Sequence, residues 1–171
     1  MTCTLILTRH AKSCWNSDAP SDHSRPLNER GQLAAKALGN WIKEYDYHPT
    51  QVISSSSQRT RETYQLMQLE TSSIYLERLY HASAEVMFQV LKEAETPRTL
   101  ILGHNPGIAS FAHQIVSFPP DHSRFEDYPT GATLVADFPI ESWSELTWGS
   151  GIVRDFAVPR ELLGASPDLA A

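Results

Sequence analysis

Apolar residues along the chain follow two rhythms. Short continuous runs bounded by polar residues occur at TLILTRH (4–10), TQVISSS (50–56) and RTLILGH (98–104). Runs of that length and composition predict strands buried on both faces. Between them the spacing turns helical. From Asn28, NERGQLAAKALGNWIKEY puts Leu33, Ala37, Leu38, Trp41 and Ile42 on one face, with Asn28 as N-cap. SQRTRETYQLMQL predicts a helix beginning near Ser57 or Gln58, and EVMFQVLKEA (85–94) and NPGIASFAHQIV (105–116) predict two more. ATLVADF (132–138) and GIVRDFAV (151–158) read as further strands, joined by PIESWSEL as an irregular or short helical connection.

The resulting order, strand–helix–strand–helix–helix–strand–helix and then two strands, predicts an α/β fold. It is a three-layer α/β/α sandwich with a mostly parallel central sheet. Two segments fit neither rhythm. AKSCWNSDAPSDHSRPL (11–27) is rich in Ser, Asp and Pro and reads as a long loop, and the polar stretch 117–131 reads as a loop that walls a cleft. The chain is expected to form one domain over 1–171, with 163–171 as a loose tail.

Composition narrows the function. Of 171 residues, 41% are hydrophobic and 20% charged, as in ordinary globular proteins. No apolar stretch approaches the ~18 residues of a membrane span, and the N-terminus lacks the features of a signal peptide. The two cysteines, Cys3 and Cys14, are expected to be reduced thiols in a cytoplasmic protein. A net charge of −6 argues against nucleic acid as a partner, although a pocket can still gather arginines around a phosphorylated ligand. A monomer with no membrane association is expected.

In open α/β sheets, ligands bind beyond the carboxyl ends of the strands. Two predicted strands deliver Arg9-His10 and His104-Asn105 to that edge, and a third ends in a serine run that leads to Arg59. Two histidines and two arginines suit phosphoryl transfer. Guanidinium forks match phosphate oxygens, and a neutral imidazole has a lone pair for attack on phosphorus. The second histidine, if protonated, would donate to the phosphoryl oxygens. The helix after SSSSQ is expected to add its backbone amides. With arginines supplying the positive charge, no cofactor or metal is expected. None of the seven histidines falls in an H-x-x-x-H or H-E-x-x-H arrangement.

LTRHAKSCWN resembles the RHG signature of the histidine phosphatase superfamily, which includes the cofactor-dependent phosphoglycerate mutases. RPLNERGQLAA, SSSSQRTRET, LYHASAEVM and LILGHNPGI more closely resemble its small SixA-type phosphohistidine phosphatases. The resemblance covers about residues 3–115 and implies a phosphoglycerate mutase-like fold. It implies His10 as nucleophile, with Arg9, Arg59 and His104 completing the phosphate pocket, and adds Ser13 and Asn16 as substrate-binding residues. Asp22 and Arg25 are expected to be structural, and Arg61 to lie on the surface or at the rim. Ala11 replaces the usual glycine. The glutamate that serves larger members as general acid has no clear counterpart; Glu77 and His81 are the two nearby residues.

That lack of an acid bears on substrate. An alkoxide leaves poorly without a proton donor, whereas a phosphorylated imidazole protonated on its other nitrogen departs neutral. The sequence thus favours a metal-independent phosphatase acting through a phosphohistidine intermediate on phosphohistidine in a protein. The short stretch between Arg59 and the helix at 85–94 leaves little room for a large cap. The alternatives are a phosphatase of small phosphate monoesters and a phosphate-binding module without turnover. A mutase or a metal-dependent hydrolase fits less well.

Overall fold

A computed structural model describes residues 1–164 of the chain. The buried run Cys3–Arg9 forms β1, and the long loop after it ends at Asn28, whose side chain accepts from the Gly31 amide to cap α1 (Glu29–Glu44). Then come β2 (Gln51–Ser55), α2 (Gln58–Met67), β3 (Ser73–Leu76), α3 (Ala84–Lys92), β4 (Arg98–Gly103) and α4 (Gly107–Ile115). The chain closes with β5 (Thr133–Phe138), β6 (Ile152–Ala157) and α5 (Pro159–Leu162).

The six strands form one sheet in the order β3-β2-β4-β1-β5-β6. The first four are parallel, and β5 runs antiparallel to both β1 and β6. β1 alternates between the two faces, as a doubly covered strand must. Leu5 and Leu7 join the core under α3 and α4 with Met87, Ile108 and Phe111, while Ile6 joins the core under α1 and α2 with Leu38, Ile42 and Met67. This is the expected three-layer arrangement.

Three details depart from the sequence reading. β3 is an edge strand of four residues, Ser-Ile-Tyr-Leu, with only partial burial. α5 is a short turn of helix anchored by Pro159 at its start. The buried face of α1 is Gly31, Ala34, Ala35, Leu38, Gly39, Trp41 and Ile42, and Leu33 is exposed. Small residues win this face because α1 lies close to its neighbours. A Cβ on Gly39 would sit 2.0 Å from the Met67 carbonyl oxygen, and one on Gly31 would sit 2.0 Å from that of Lys12. Of the expected loose tail, Leu163 packs against Ala34 and Ala35, and residues 165–171 lie outside the described residues.

Register sets the site. Arg9 of β1 pairs with Gly103 of β4, and the His10 amide donates to the Gly103 carbonyl at 3.1 Å. The two strands therefore release His10 and His104 side by side at the same edge.

Candidate functional site

The His10 and His104 rings lie 5.2 Å apart between centroids, tilted by 51°. Both line a cleft of about 280 Å³ together with Arg9, Ser13, Arg25 and Arg59. Trp15, Asp22, His81, Asn105, Lys12 and Thr130 complete the lining. Of the residues expected from sequence, Arg9, His10, Ser13, Arg59 and His104 are thus brought together. Asn16 is exposed and outside the lining, because the loop that carries it turns its neighbour Trp15 toward Arg25 instead, with the guanidinium carbon 3.7 Å from the ring centre.

One ring has a defined proton arrangement. His10 Nδ1 lies 2.7 Å from the Ala11 carbonyl oxygen, which can only accept, so Nδ1 carries the proton and Nε2 keeps its lone pair. Burial pushes His10 down to about 3; the Ala11 contact opposes this, and the positive charges of Arg9, Arg59 and Arg25 reinforce it. Burial likewise holds His104 well below the usual histidine range, helped by His10 and Arg59. The condition set on His104 in the sequence reading, that it donate as a protonated ring, is disfavoured by this burial. A neutral ring can still donate. Ser55 Oγ accepts from the Ser57 amide and lies 2.8 Å from His104 Nε2. Donation from Ser55 to Nε2 places the ring hydrogen on Nδ1, and donation from Nε2 to Ser55 leaves Nδ1 with its lone pair.

Asp22 is the hub of the cleft. Its carboxylate accepts from Arg25 at 3.1 Å, from Arg59 at 3.0 Å and from the Tyr80 hydroxyl, and lies 3.2 Å from His81 Nε2. Its backbone oxygen accepts a second bond from Arg59 at 2.8 Å. The Tyr80 bond foremost, then Arg25, His81 and Arg59, hold Asp22 far below the usual carboxylate range. Asp22 and Arg25, read from sequence as structural, stand inside the cleft. No sequence signal connects Asp22 with residues 59, 80 and 81, because only the folding of the 11–27 loop does so.

Of the 117–131 loop, read from sequence as a cleft wall, Thr130 lines the cleft and Tyr128 supports it from behind. Arg9 Nη1 donates to the Tyr128 carbonyl at 3.1 Å, and the buried Tyr128 hydroxyl donates to the Leu7 carbonyl. Glu77 is turned away: it accepts from Ser56 Oγ at 2.8 Å and is absent from the cleft lining. His81 is the member of that pair that reaches the cleft. It sits in the left-handed backbone region at φ 53°, which costs a non-glycine residue about 1–3 kcal/mol and concentrates at functional sites. Gly107 lets its turn approach, since a Cβ there would lie 1.8 Å from the Ala82 carbonyl oxygen. The amides at the start of α2, expected to bind phosphate, are partly committed elsewhere. The Gln58 amide donates to the His23 carbonyl and the Thr60 amide to Ser57 Oγ.

One feature separates this cleft from a network of structural ion pairs. Among the described residues, five buried side-chain nitrogen or oxygen atoms have no hydrogen-bond partner, and four of them are Arg9 Nε, Arg25 Nε, Arg59 Nε and His104 Nδ1. The three guanidinium nitrogens are obligatory donors, and each unmatched buried donor costs about 1–3 kcal/mol. All four belong to residues that line the one cleft.

The family model of the histidine phosphatase superfamily (branch 1) matches residues 5–84, a span that includes Arg9, His10 and Arg59. An uncharacterized protein of Mycobacterium leprae is 29% identical over 161 residues, spanning 89% of this chain and 99% of its own length. Among solved structures, the candidate phosphohistidine phosphatase SixA of Nakamurella multipartitia superposes with a TM-score of 0.82 at 23% identity, over 93% of this chain and 97% of that one. The protein histidine phosphatase SixA complexed with tungstate gives 0.71 at 19% identity, over 91% and 97%. At these identities the structural likeness speaks for the fold. The fold is SixA-like, and the match to the histidine phosphatase family model runs through the first histidine and the second arginine.

Proposed function

We propose that this protein is a metal-independent phosphatase that uses His10 as nucleophile and acts on phosphohistidine carried by a protein. The observation that carries the reading is the convergence of Arg9, Arg25, Arg59 and His104 on one cleft around the His10 ring, whose Nδ1 is bound to the Ala11 carbonyl and whose Nε2 keeps its lone pair. The likeness to a SixA that binds tungstate, itself a tetrahedral oxyanion, agrees with such a hollow.

His10 Nε2 attacks phosphorus as the bond to the leaving group breaks, and that bond's electron pair departs with the leaving group. A phosphohistidine leaving group takes no further proton when its other ring nitrogen is already protonated. An ester oxygen requires one, and His81, held by Asp22 at the mouth of the cleft, is the group placed to give it. Water then attacks the phosphoryl group on His10, the N–P bond breaks, and its electron pair returns to Nε2. Arginine charge stabilises the spread negative charge in both steps.

Incubation with a ³²P-phosphohistidine peptide, quenched in alkali, tests this. Label should be trapped on the wild-type protein and be absent from His10→Ala, whose turnover falls on the order of 10⁴-fold or more. His81→Ala should lower kcat for alkyl phosphates about 10²-fold while leaving phosphohistidine turnover within severalfold. Hydrolysis that survives in His10→Ala, or activity confined to alkyl phosphates, would overturn the reading.

A further inference from the structure

A second hollow of about 220 Å³ opens beside the cleft, and Lys12 and Thr130 line both. Its other polar walls are Arg30, Arg124 and Arg160, over a floor that includes Ala34 and Val158. Four cationic side chains thus converge on one concavity, and no carboxylate is among the described residues lining it. They do so in a chain with 20 acidic and 14 basic residues and a net charge of −6. A solvated basic face on such a protein would be interspersed with carboxylates. Of the carboxylates beside these cations in sequence, Glu161 lies 3.0 Å from His122, while Asp127 is held in a fork by Arg124 at 2.9 Å, so Arg124 is the one paired cation of the four. Lys12, Arg30 and Arg160 have no ion-pair partner among the described residues.

The backbone between the two hollows is fixed. The Lys12 carbonyl accepts from the Asn28 amide at 3.1 Å and lies against Gly31. The Gly131 amide donates to the carbonyls of Arg9 and His10 at 3.1 and 2.9 Å. Gly131 has a positive φ of 77°, and a Cβ there would lie 2.4 Å from the Pro159 ring that precedes Arg160. The backbone that carries Lys12 and Arg160 therefore stands at a set place relative to His10, while their side chains reach into solvent. A substrate that spans both hollows meets a fixed backbone spacing between them.

We propose that this second hollow is an anion subsite, which takes a phosphate or carboxylate carried by the same substrate whose phosphoryl group enters the cleft. The inference rests on the reading of the cleft as a phosphoryl site and adds a second acidic group to the description of its substrate. That group has two sources: a second phosphate on a small molecule, or an acidic side chain beside phosphohistidine in a protein.

The test compares wild type with the Arg30→Ala/Arg160→Ala double variant. The probes are phenyl phosphate, a series of α,ω-alkanediol bisphosphates of increasing length, and phosphohistidine peptides flanked by alanine or by aspartate. Wild type should favour one doubly anionic probe over its singly anionic counterpart by about tenfold in kcat/KM, as one charge-assisted contact would give. The variant should lose that preference through KM, with phenyl phosphate and the alanine-flanked peptide unchanged within about twofold. Preference for a bisphosphate of particular length assigns the second group to a small molecule, and preference for the aspartate-flanked peptide assigns it to a protein. Absence of any preference in wild type, or a preference kept by the variant, would overturn the subsite. Calorimetric binding of the same probes to His10→Ala keeps the two readings apart. Selective binding that depends on Arg30 and Arg160, in a protein that hydrolyses nothing, would sustain the subsite and discard the phosphatase.

Discussion

The cleft and the hollow beside it are both cationic, share Lys12 and Thr130, and hold their charge in opposite ways. In the cleft, Arg25 and Arg59 are 8% and 2% exposed and are clamped by Asp22. Their remaining donors are buried without partners. In the side hollow, Lys12, Arg124 and Arg160 are exposed and Arg30 is half-buried. A desolvated, preorganised charge acts strongly on whatever charge develops beside it. A solvated charge at the rim attracts a ligand and is screened by salt. The first arrangement suits chemistry and the second suits recruitment.

The largest expected difference comes from replacing a fork by a point charge. Arg59 donates through two terminal nitrogens to two different oxygens of Asp22, at 2.8 and 3.0 Å. An ammonium keeps the charge and loses this geometry. Arg59→Lys should lower kcat/KM for every substrate by about 10²-fold, as loss of an aligned transition-state donor does. Arg160→Lys, at an exposed position with no ion pair among the described residues, should stay within about twofold. Equal effects of the two substitutions would erase the distinction between the hollows.

This contrast also marks what was legible in the sequence. His10 and His104 were readable because each ends an apolar run, and parallel neighbours in register bring such ends together. Arg59 was readable because it opens the helix that follows a strand. Ser73–Leu76 is not legible as a strand, since four residues, one of them polar, are too short a run to show a period. The face of α1 was misread because helix packing there is governed by close approach at Gly31 and Gly39 rather than by the bulk of Leu33. Asn16 matched a pattern but sits in a loop whose path no period encodes. The same loop hides Asp22, which meets Arg59, Tyr80 and His81 only in three dimensions. The side hollow left no trace at all, because its four cations come from positions 12, 30, 124 and 160 on separate segments.

A second difference concerns protons. Burial keeps both cleft histidines neutral in the folded protein, His10 down to about 3 and His104 also lowered. In the unfolded chain each takes up a proton near pH ~6.5. Between the two values the unfolded state binds more protons, so stability is full above about pH 7 and falls as pH drops toward 3. Each ring contributes a slope of up to about 1.4 kcal/mol per pH unit. Urea midpoints measured across this range should show that loss. His10→Gln should make the slope shallower, while Arg160→Gln should leave it unchanged. A wild-type curve that is flat from pH 7 to 4 would mean that the rings are solvated and titrate as free histidines.

The smallest expected effect is that of salt, and it acts on the side hollow almost alone. At ~0.1 M ionic strength the screening length is about 10 Å, so exposed cations lose much of their pull on an approaching anion as salt rises. Arg9, Arg25 and Arg59 are shielded from that loss by the walls around them. For a doubly anionic substrate, kcat/KM should fall severalfold between low salt and about 0.5 M, with kcat nearly constant, because encounter weakens while the transition state inside the cleft keeps its surroundings. The Arg30→Ala/Arg160→Ala variant should start lower and fall less. A salt response carried by kcat, or one of equal steepness in wild type and variant, would place the screened charge in the cleft and leave the second hollow without a part in recruitment.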